Sequence, residues 1–260
     1  MTKLTNKDGA TAHEEKRHVV IYGYTRQELT KIIRHFEAQL PEYVKISVDN
    51  SGLVTKITLT GVNTGVELLR FKMNKFHQTL SGIFSHETVS TEDKSIAEVL
   101  GDSLREKELT VSSAESCTGG NIAHKITQVA GSSNYYLGSV VSYSNEVKTR
   151  VLNVSGGLIQ KYGAVSRQVV EAMAEGVSAV MRSDCAIATS GIAGPDGGSK
   201  FKPVGTVWIA AKYRDQLVSE CRHFEGDRNQ VIESATNHAI VMLINLLLNR
   251  YEPQDEINDD

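Results

Sequence analysis

LTVSSAESCTGGNIAHKITQVA, residues 109–130, is the stretch on which the fold turns. Leu109 to Glu115 is a short run of small and apolar residues and reads as a strand. Ser116-Cys117-Thr118 interrupts it, and Gly119-Gly120 let the chain turn and a ligand approach the backbone closely. Ile122, Ile126 and Val129 then recur at helical spacing. A strand, a glycine turn and a helix are the opening unit of an α/β layer. In open α/β sheets, ligands bind where strands end and helices begin.

Downstream the pattern repeats. GSVVSYS is a strand, NEVKTRVL a helix, and SRQVVEAMAEGVSAVM a helix with Ser166 at its N-cap. DCAIATSG is a buried strand that ends in a glycine-rich loop. GTVWIAAKY and QLVSECRHF form an antiparallel pair around Arg214-Asp215. DRNQVIESATNHAIVMLINLLLN closes the domain as a long helix. The alternation predicts a three-layer α/β/α sandwich with a mixed sheet over residues 95–251.

Upstream, HVVIYGY is a strand and RQELTKIIRHFEAQL a helix with Leu29, Ile32, Ile33 and Phe36 on one face. VKISV and LVTKITLTG flank a turn at Asp49-Asn50-Ser51-Gly52, and GVELLRFKMNKFHQTL is a helix. The order β-α-β-β-α predicts a small α+β module over residues 18–84. Residues 1–17 are polar and expected to be disordered, residues 85–94 are the linker, and the acidic tail 252–260 is expected to be disordered.

The 260 residues carry 40% hydrophobic and 23% charged side chains with a net charge of −3, enough for a sizeable core. That balance gives no electrostatic reason to expect nucleic acid as a partner. Three cysteines without metal-type spacing argue for a reducing compartment rather than a disulfide framework. No apolar leader and no membrane-spanning run is visible, so a cytoplasmic protein is expected. The eight histidines are scattered, and neither a metal site nor a cofactor is expected.

Three places are chemically rich. At Ser116-Cys117-Thr118-Gly119-Gly120, the first helix amides could hold a phosphate or an oxyanion; a plain helix cap is the other reading. In SYSNEVK, Asn145 reads as an N-cap, which places Lys148 in the first helical turn. A lysine is unfavourable against the positive end of a helix. Partly desolvated there, it would have the lowered pKa a general base needs. An ordinary solvated lysine is the alternative. In ATSGIAGPDGGSKFKPVG, Thr189 and Ser190 end a buried strand, and glycines including Gly191 and Gly194 shape a long loop.

AESCTGG, GSS (131–133), VVSYSNEVK (140–148), YGAVS (162–166), SGIAGPDGG (190–198), KPVGTVWIA (202–210) and FEGDR (224–228) occur in this order. Together they closely resemble the C-terminal domain of the CinA family of competence/damage-inducible proteins, over roughly residues 92–250. Tyr22-Gly23 loosely resembles the start of the KH-like module that precedes this domain in longer members. The family's molybdopterin-binding-like domain and its pyrophosphatase activity are not expected here.

The resemblance implies hydrolysis of the carboxamide of nicotinamide mononucleotide to nicotinic acid mononucleotide and ammonia, without a metal. It implies Ser116 as nucleophile, with Tyr143 and Lys148 matching the family's tyrosine and lysine. Lys148 would take the serine proton directly or through Tyr143. Backbone amides of Thr118, Gly119 and Gly120 would hold the oxyanion, and Ser144, Asn145, Ser190, Gly191 and Gly194 would position the substrate. Cys117 is a lesser candidate for the nucleophile. A homo-oligomer, expected to be a dimer, is the implied assembly.

Two features depart from the family pattern: Ser190 stands for a threonine, and Val231 and Ile232 fill the region of a downstream arginine. They leave open a silent nucleotide-binding homologue that acts through protein partners. Nucleic-acid binding by the first module is disfavoured, because Gly61-Val62-Asn63-Thr64-Gly65 has one residue too many for a Gly-x-x-Gly clamp.

Overall fold

The computed structural model describes residues 2–5 and 11–252. The chain divides into two compact units, Met1–Ser95 and Ile96–Asp260.

The first unit runs β1 (Thr2–Thr5), β2 (Thr11–Tyr22), α1 (Arg26–Glu37), β3 (Val44–Ser51), β4 (Val54–Asn63), α2 (Val66–Ile83) and β5 (Thr88–Ser90). Its sheet is ordered β1-β2-β4-β3, with β5 also paired to β2. Leu29, Ile33 and Phe36 of α1 and Leu69, Met73 and Leu80 of α2 pack against Val19, Ile21, Ile57 and Leu59 of the sheet. The β3–β4 turn is tighter than the sequence suggested. Ser51 pairs with Val54, and the two-residue loop is Gly52-Leu53, with Gly52 at φ 61°.

Two boundaries move. The expected disordered segment 1–17 contains β1 and the first seven residues of β2. Ala12 and Glu15 there are buried even though the stretch is polar. The expected linker 85–94 contributes β5, whose Thr88 and Ser90 pair with Ile21 and Val20. The expected tail lies outside the described residues beyond Glu252. Gly61 lies inside β4, where a Cβ would meet the Met73 sulfur at 2.6 Å, so packing accounts for that glycine.

The second unit runs α3 (Ile96–Glu106), β6 (Val111–Glu115), α4 (Asn121–Thr127), β7 (Tyr136–Val141), α5 (Asn145–Leu152), α6 (Gly156–Tyr162), α7 (Arg167–Met181), β8 (Cys185–Gly191), β9 (Thr206–Tyr213), β10 (Gln216–His223) and α8 (Arg228–Leu247). The mixed sheet is ordered β10-β9-β8-β6-β7. β6 is parallel to both β7 and β8, and β9 is antiparallel to β8 and β10. α7 covers one face, with α5 and α6 outside it. α8 covers the other, flanked by α3 and α4. The fold is the three-layer α/β/α sandwich. α6 has no counterpart in the sequence reading. Its seven residues begin Gly-Gly and bury no side chain, so they carry no amphipathic signal. Ser166 does sit at the N-cap of α7, but its hydroxyl donates to the Gly163 carbonyl at 2.8 Å rather than capping.

The chain leaves β6 for β7 on one side and returns as β8 on the other. The carboxyl ends of these three strands therefore gather their loops at one place. Ser116 N donates to Thr189 O at 3.0 Å, and Ser142 N to Glu115 O at 2.8 Å, so the ladders run one residue into the loops. Gly176 brings α7 close to the end of α5. A Cβ there would strike the Leu152 carbonyl oxygen, with the carbonyl carbon at 2.9 Å. Gly176→Ala is expected to destabilise the second unit by about 1–3 kcal/mol through this clash. The loss outweighs the roughly 0.5–1 kcal/mol that alanine gains over glycine in a helix, and the urea midpoint measures it.

Candidate active site

Glu115, the last residue of β6, is fully buried. Its Oε2 accepts from the amides of Gly120 and Ile122, both at 3.0 Å, and from the Thr118 hydroxyl at 2.8 Å; Oε1 accepts from the Ala123 amide at 2.9 Å. A carboxylate thus occupies the donor-rich start of α4, the place where it is most favoured. Sequence reasoning had assigned those amides to a ligand. The structure corrects this: Gly120 N is spent on Glu115, and Gly119 N donates to Ser116 O at 3.2 Å. The Thr118 hydroxyl bridges Glu115 and Thr189 Oγ1, the latter at 2.8 Å. Gly119 and Gly120 take φ of 60° and 103°, which the turn requires.

With the turn held this way, Ser116 faces α5. Lys148 Nζ donates to Ser116 Oγ at 3.1 Å and to the Ser142 carbonyl at 2.7 Å. Lys148 is 1% exposed and Ser116 9%. Burial lowers the Lys148 pKa, the nearby Cys117 opposing weakly. The lysine comes from the first turn of α5, whose N-cap is Ser144, one residue before the expected Asn145. Ser144 Oγ accepts from Val147 N at 3.2 Å, so this hydroxyl caps the helix and is not presented to a ligand.

Ser116, Cys117, Tyr143, Asn145, Lys148, Ala164, Val165, Ser190, Gly191, Ala193 and Arg228 enclose a cavity of about 180 Å³. The Ser190 hydroxyl donates to Ala164 O at 2.7 Å and holds the cavity wall. Gly191 ends β8, where a Cβ would lie 2.7 Å from the Thr206 carbonyl. Gly194 is outside the lining, and its carbonyl accepts from Arg228 Nη1 at 2.6 Å. Tyr143 is 65% exposed, and its hydroxyl accepts from Arg228 Nη2 at 3.4 Å. It stands at the rim rather than between serine and lysine, so the direct Lys148–Ser116 contact replaces the tyrosine relay. Cys117 is buried, and burial pushes its thiol up to about 12, which removes it as a nucleophile.

Glu115 and Arg228 were missed as site residues. Both had a signal. An acid at a strand end ahead of a Gly-Gly helix start suits the helix dipole. An arginine at the first position of α8, after the Asp227 N-cap, is unfavourable for that dipole, the same mismatch that singled out Lys148.

This arrangement is an α/β sandwich with a buried lysine–serine pair at the carboxyl edge of its parallel strands. The model of the CinA C-terminal domain matches residues 93–247, and the chain belongs to that family. It is 39% identical over 234 residues to a CinA-like protein of Flavobacterium psychrophilum, covering 90% of this chain and 56% of that one. It is 41% identical over 218 residues to another from Thermosipho melanesiensis, covering 81% and 54%. The chain thus spans about half the length of the curated relatives it matches. Among solved structures, a competence/damage-inducible protein from Agrobacterium tumefaciens aligns at 36% identity and TM-score 0.56, over 60% of this chain and 99% of that one. A CinA superfamily protein from Escherichia coli aligns at 32% and 0.56, over 59% and 88%.

Glu115→Ala would strand several buried donors and is expected to cost roughly 3–5 kcal/mol, read from urea unfolding. Lys148 gives a second test. Its folded pKa lies below the usual 10.5. Between the two values the unfolded chain holds a proton that the native state has released, so this residue makes stability rise with pH across that window. Lys148→Met should remove that rise from the curve of unfolding free energy against pH.

Proposed function

We propose that the second unit is a serine amidohydrolase acting on the carboxamide of nicotinamide mononucleotide. One observation carries this reading: a buried amine 3.1 Å from a serine oxygen at the floor of a cavity. Carboxamides are poor electrophiles, and a positioned hydroxyl divides their hydrolysis into two easier steps.

With Lys148 neutral, the Ser116 hydroxyl donates to Nζ. As Oγ attacks the carboxamide carbon, its proton passes to Nζ, and the carbonyl oxygen gains the negative charge. The amides of Cys117 and Thr118 are the donors next to Ser116 that Glu115 does not take, and they are assigned to that oxyanion. The C–N bond then breaks, the lysine ammonium protonates the leaving nitrogen, and ammonia departs. Water attacks the resulting ester, Lys148 accepts its proton, and the C–O bond to Ser116 breaks. Serine regains its proton, and the carboxylate product leaves. Arg228 and Asn145 at the rim suit the phosphate of the substrate.

The protein incubated with nicotinamide mononucleotide and no added metal should release ammonia and nicotinic acid mononucleotide in equal amounts. Ser116→Ala and Lys148→Ala should each lower kcat by at least about 10³-fold with unchanged circular dichroism. The rate should rise with pH to a plateau reached below the range of a solvated lysine, because the base works only when unprotonated. Undiminished turnover in Ser116→Ala would overturn the reading.

A further inference from the structure

Thr189 lies near the carboxyl end of β8, and no step of the proposed reaction uses it. It is fully buried, and Thr118 is 3% exposed. Successive side chains of a strand face opposite ways. Ser190 accordingly bonds the Ala164 carbonyl in the cavity wall, whereas Thr189 faces the β6–α4 turn, where its Oγ1 lies 2.8 Å from Thr118 Oγ1. The direction of that bond is fixed by the donors present. A hydroxyl has one hydrogen, and Thr118 gives its own to Glu115 Oε2, a carboxylate oxygen that only accepts. Thr189 is therefore the donor and Thr118 the acceptor, so the hydrogen bonds run from Thr189 to Thr118 to Glu115.

Ser116 sits inside the ring that these bonds close. Its amide donates to the Thr189 carbonyl at 3.0 Å. Thr189 thus holds the β6–α4 turn at two points, by its main chain at Ser116 and by its side chain at Thr118 further along. One bond alone would let the turn pivot; the second removes that freedom. Both side chains are β-branched and have few rotamers, which stiffens the tie. Lys148 approaches from α5 and is held separately by the Ser142 carbonyl, so any pivot of the turn would fall on the 3.1 Å contact between Ser116 and Lys148.

We propose that Thr189 is a positioning residue of this site: through the Thr118 hydroxyl it fixes the β6–α4 turn so that Ser116 Oγ stays within reach of Lys148 Nζ. The inference rests on the amidohydrolase reading and deepens it. Thr189 is not among the residues that line the cavity. Its loss should therefore act on the alignment of the nucleophile and not on the affinity for substrate.

The test uses the full chain. Thr189→Val removes the hydroxyl but keeps the branched shape and the carbonyl that Ser116 uses. It should lower kcat for nicotinamide mononucleotide about 10–100-fold with KM within about threefold, and Thr189→Ser should restore most of kcat. Thr118→Val breaks the same bond from the other side. The double variant should be no slower than the slower single variant, because the two hydroxyls act as one unit. A kcat within about twofold of wild type in Thr189→Val, even with a lowered urea midpoint, would overturn the proposal. So would a loss that serine does not restore, or losses that multiply in the double variant. A fluorophosphonate reagent gives a readout that needs no amide: Ser116 Oγ bonds phosphorus, the P–F bond breaks, fluoride leaves, and the serine proton passes to Lys148. Thr189→Val should slow this labelling about as much as it slows turnover, and an unchanged labelling rate counts against the proposal. If the wild type is labelled at Ser116 but releases no ammonia, the amidohydrolase reading fails and the labelling rates alone decide the role of Thr189. If the wild type neither turns over nor is labelled, both fail.

Discussion

The site depends on one buried carboxylate. Glu115 takes the amides of Gly120, Ile122 and Ala123, the donors that a helix start leaves unpaired. The carboxylate therefore ties the end of β6 to the start of α4. Glycine eases the positive φ at 119, and at 120, where φ is 103°, the geometry calls for it. Once the turn is closed, Ser116 has little freedom: its amide is bonded to Thr189 and its carbonyl to Gly119. The nucleophile candidate is aimed by a residue that never touches a substrate. It also follows that the helix N-terminus as a whole is not open to a ligand, since Glu115 takes three of its amides.

The second constraint is the burial of an amine. Among the described residues the Lys148 Nζ bonds the Ser142 carbonyl and the Ser116 hydroxyl, and neither is a carboxylate. An ammonium in that position would be poorly compensated. The same desolvation favours the neutral form, the form that the proposed reaction would need as a base, so a destabilising burial and the proposed role have one cause. Cys117 shows the converse. The same enclosure that makes the amine more available as a base suppresses the thiolate, and the intrinsically better nucleophile is the one excluded.

Most of the second unit was legible because its elements alternate in period. Strands β6, β8 and β9 are continuous small or apolar runs, and the long helix α8 has an unmistakable start at Asp227 with a capping box to Gln230. The pairing of Ser116 with Lys148 was legible only through the resemblance and the helix-dipole mismatch, since 32 residues separate them. What failed is instructive. Ser144 and Ser190 were read as ligand hydroxyls, and both are spent on the backbone. Composition shows that a hydroxyl is present, but its partners are set by tertiary packing. The polar start of β2 failed for a similar reason. Sheet pairing on both sides can order a segment that has little apolar surface of its own.

The division of labour between the cavity floor and its rim follows from size. The cavity is formed by residues from five segments of the chain, and its wall is cross-tied between them. Ser190 holds Ala164, Lys202 holds Val165, and Arg228 holds Gly194. These cross-ties fix the wall around the reacting carbonyl and leave no room to enclose a sugar phosphate. Recognition of the larger part of a ligand therefore falls to groups standing at the rim. There the structure offers the Arg228 guanidinium and the Tyr143 phenol.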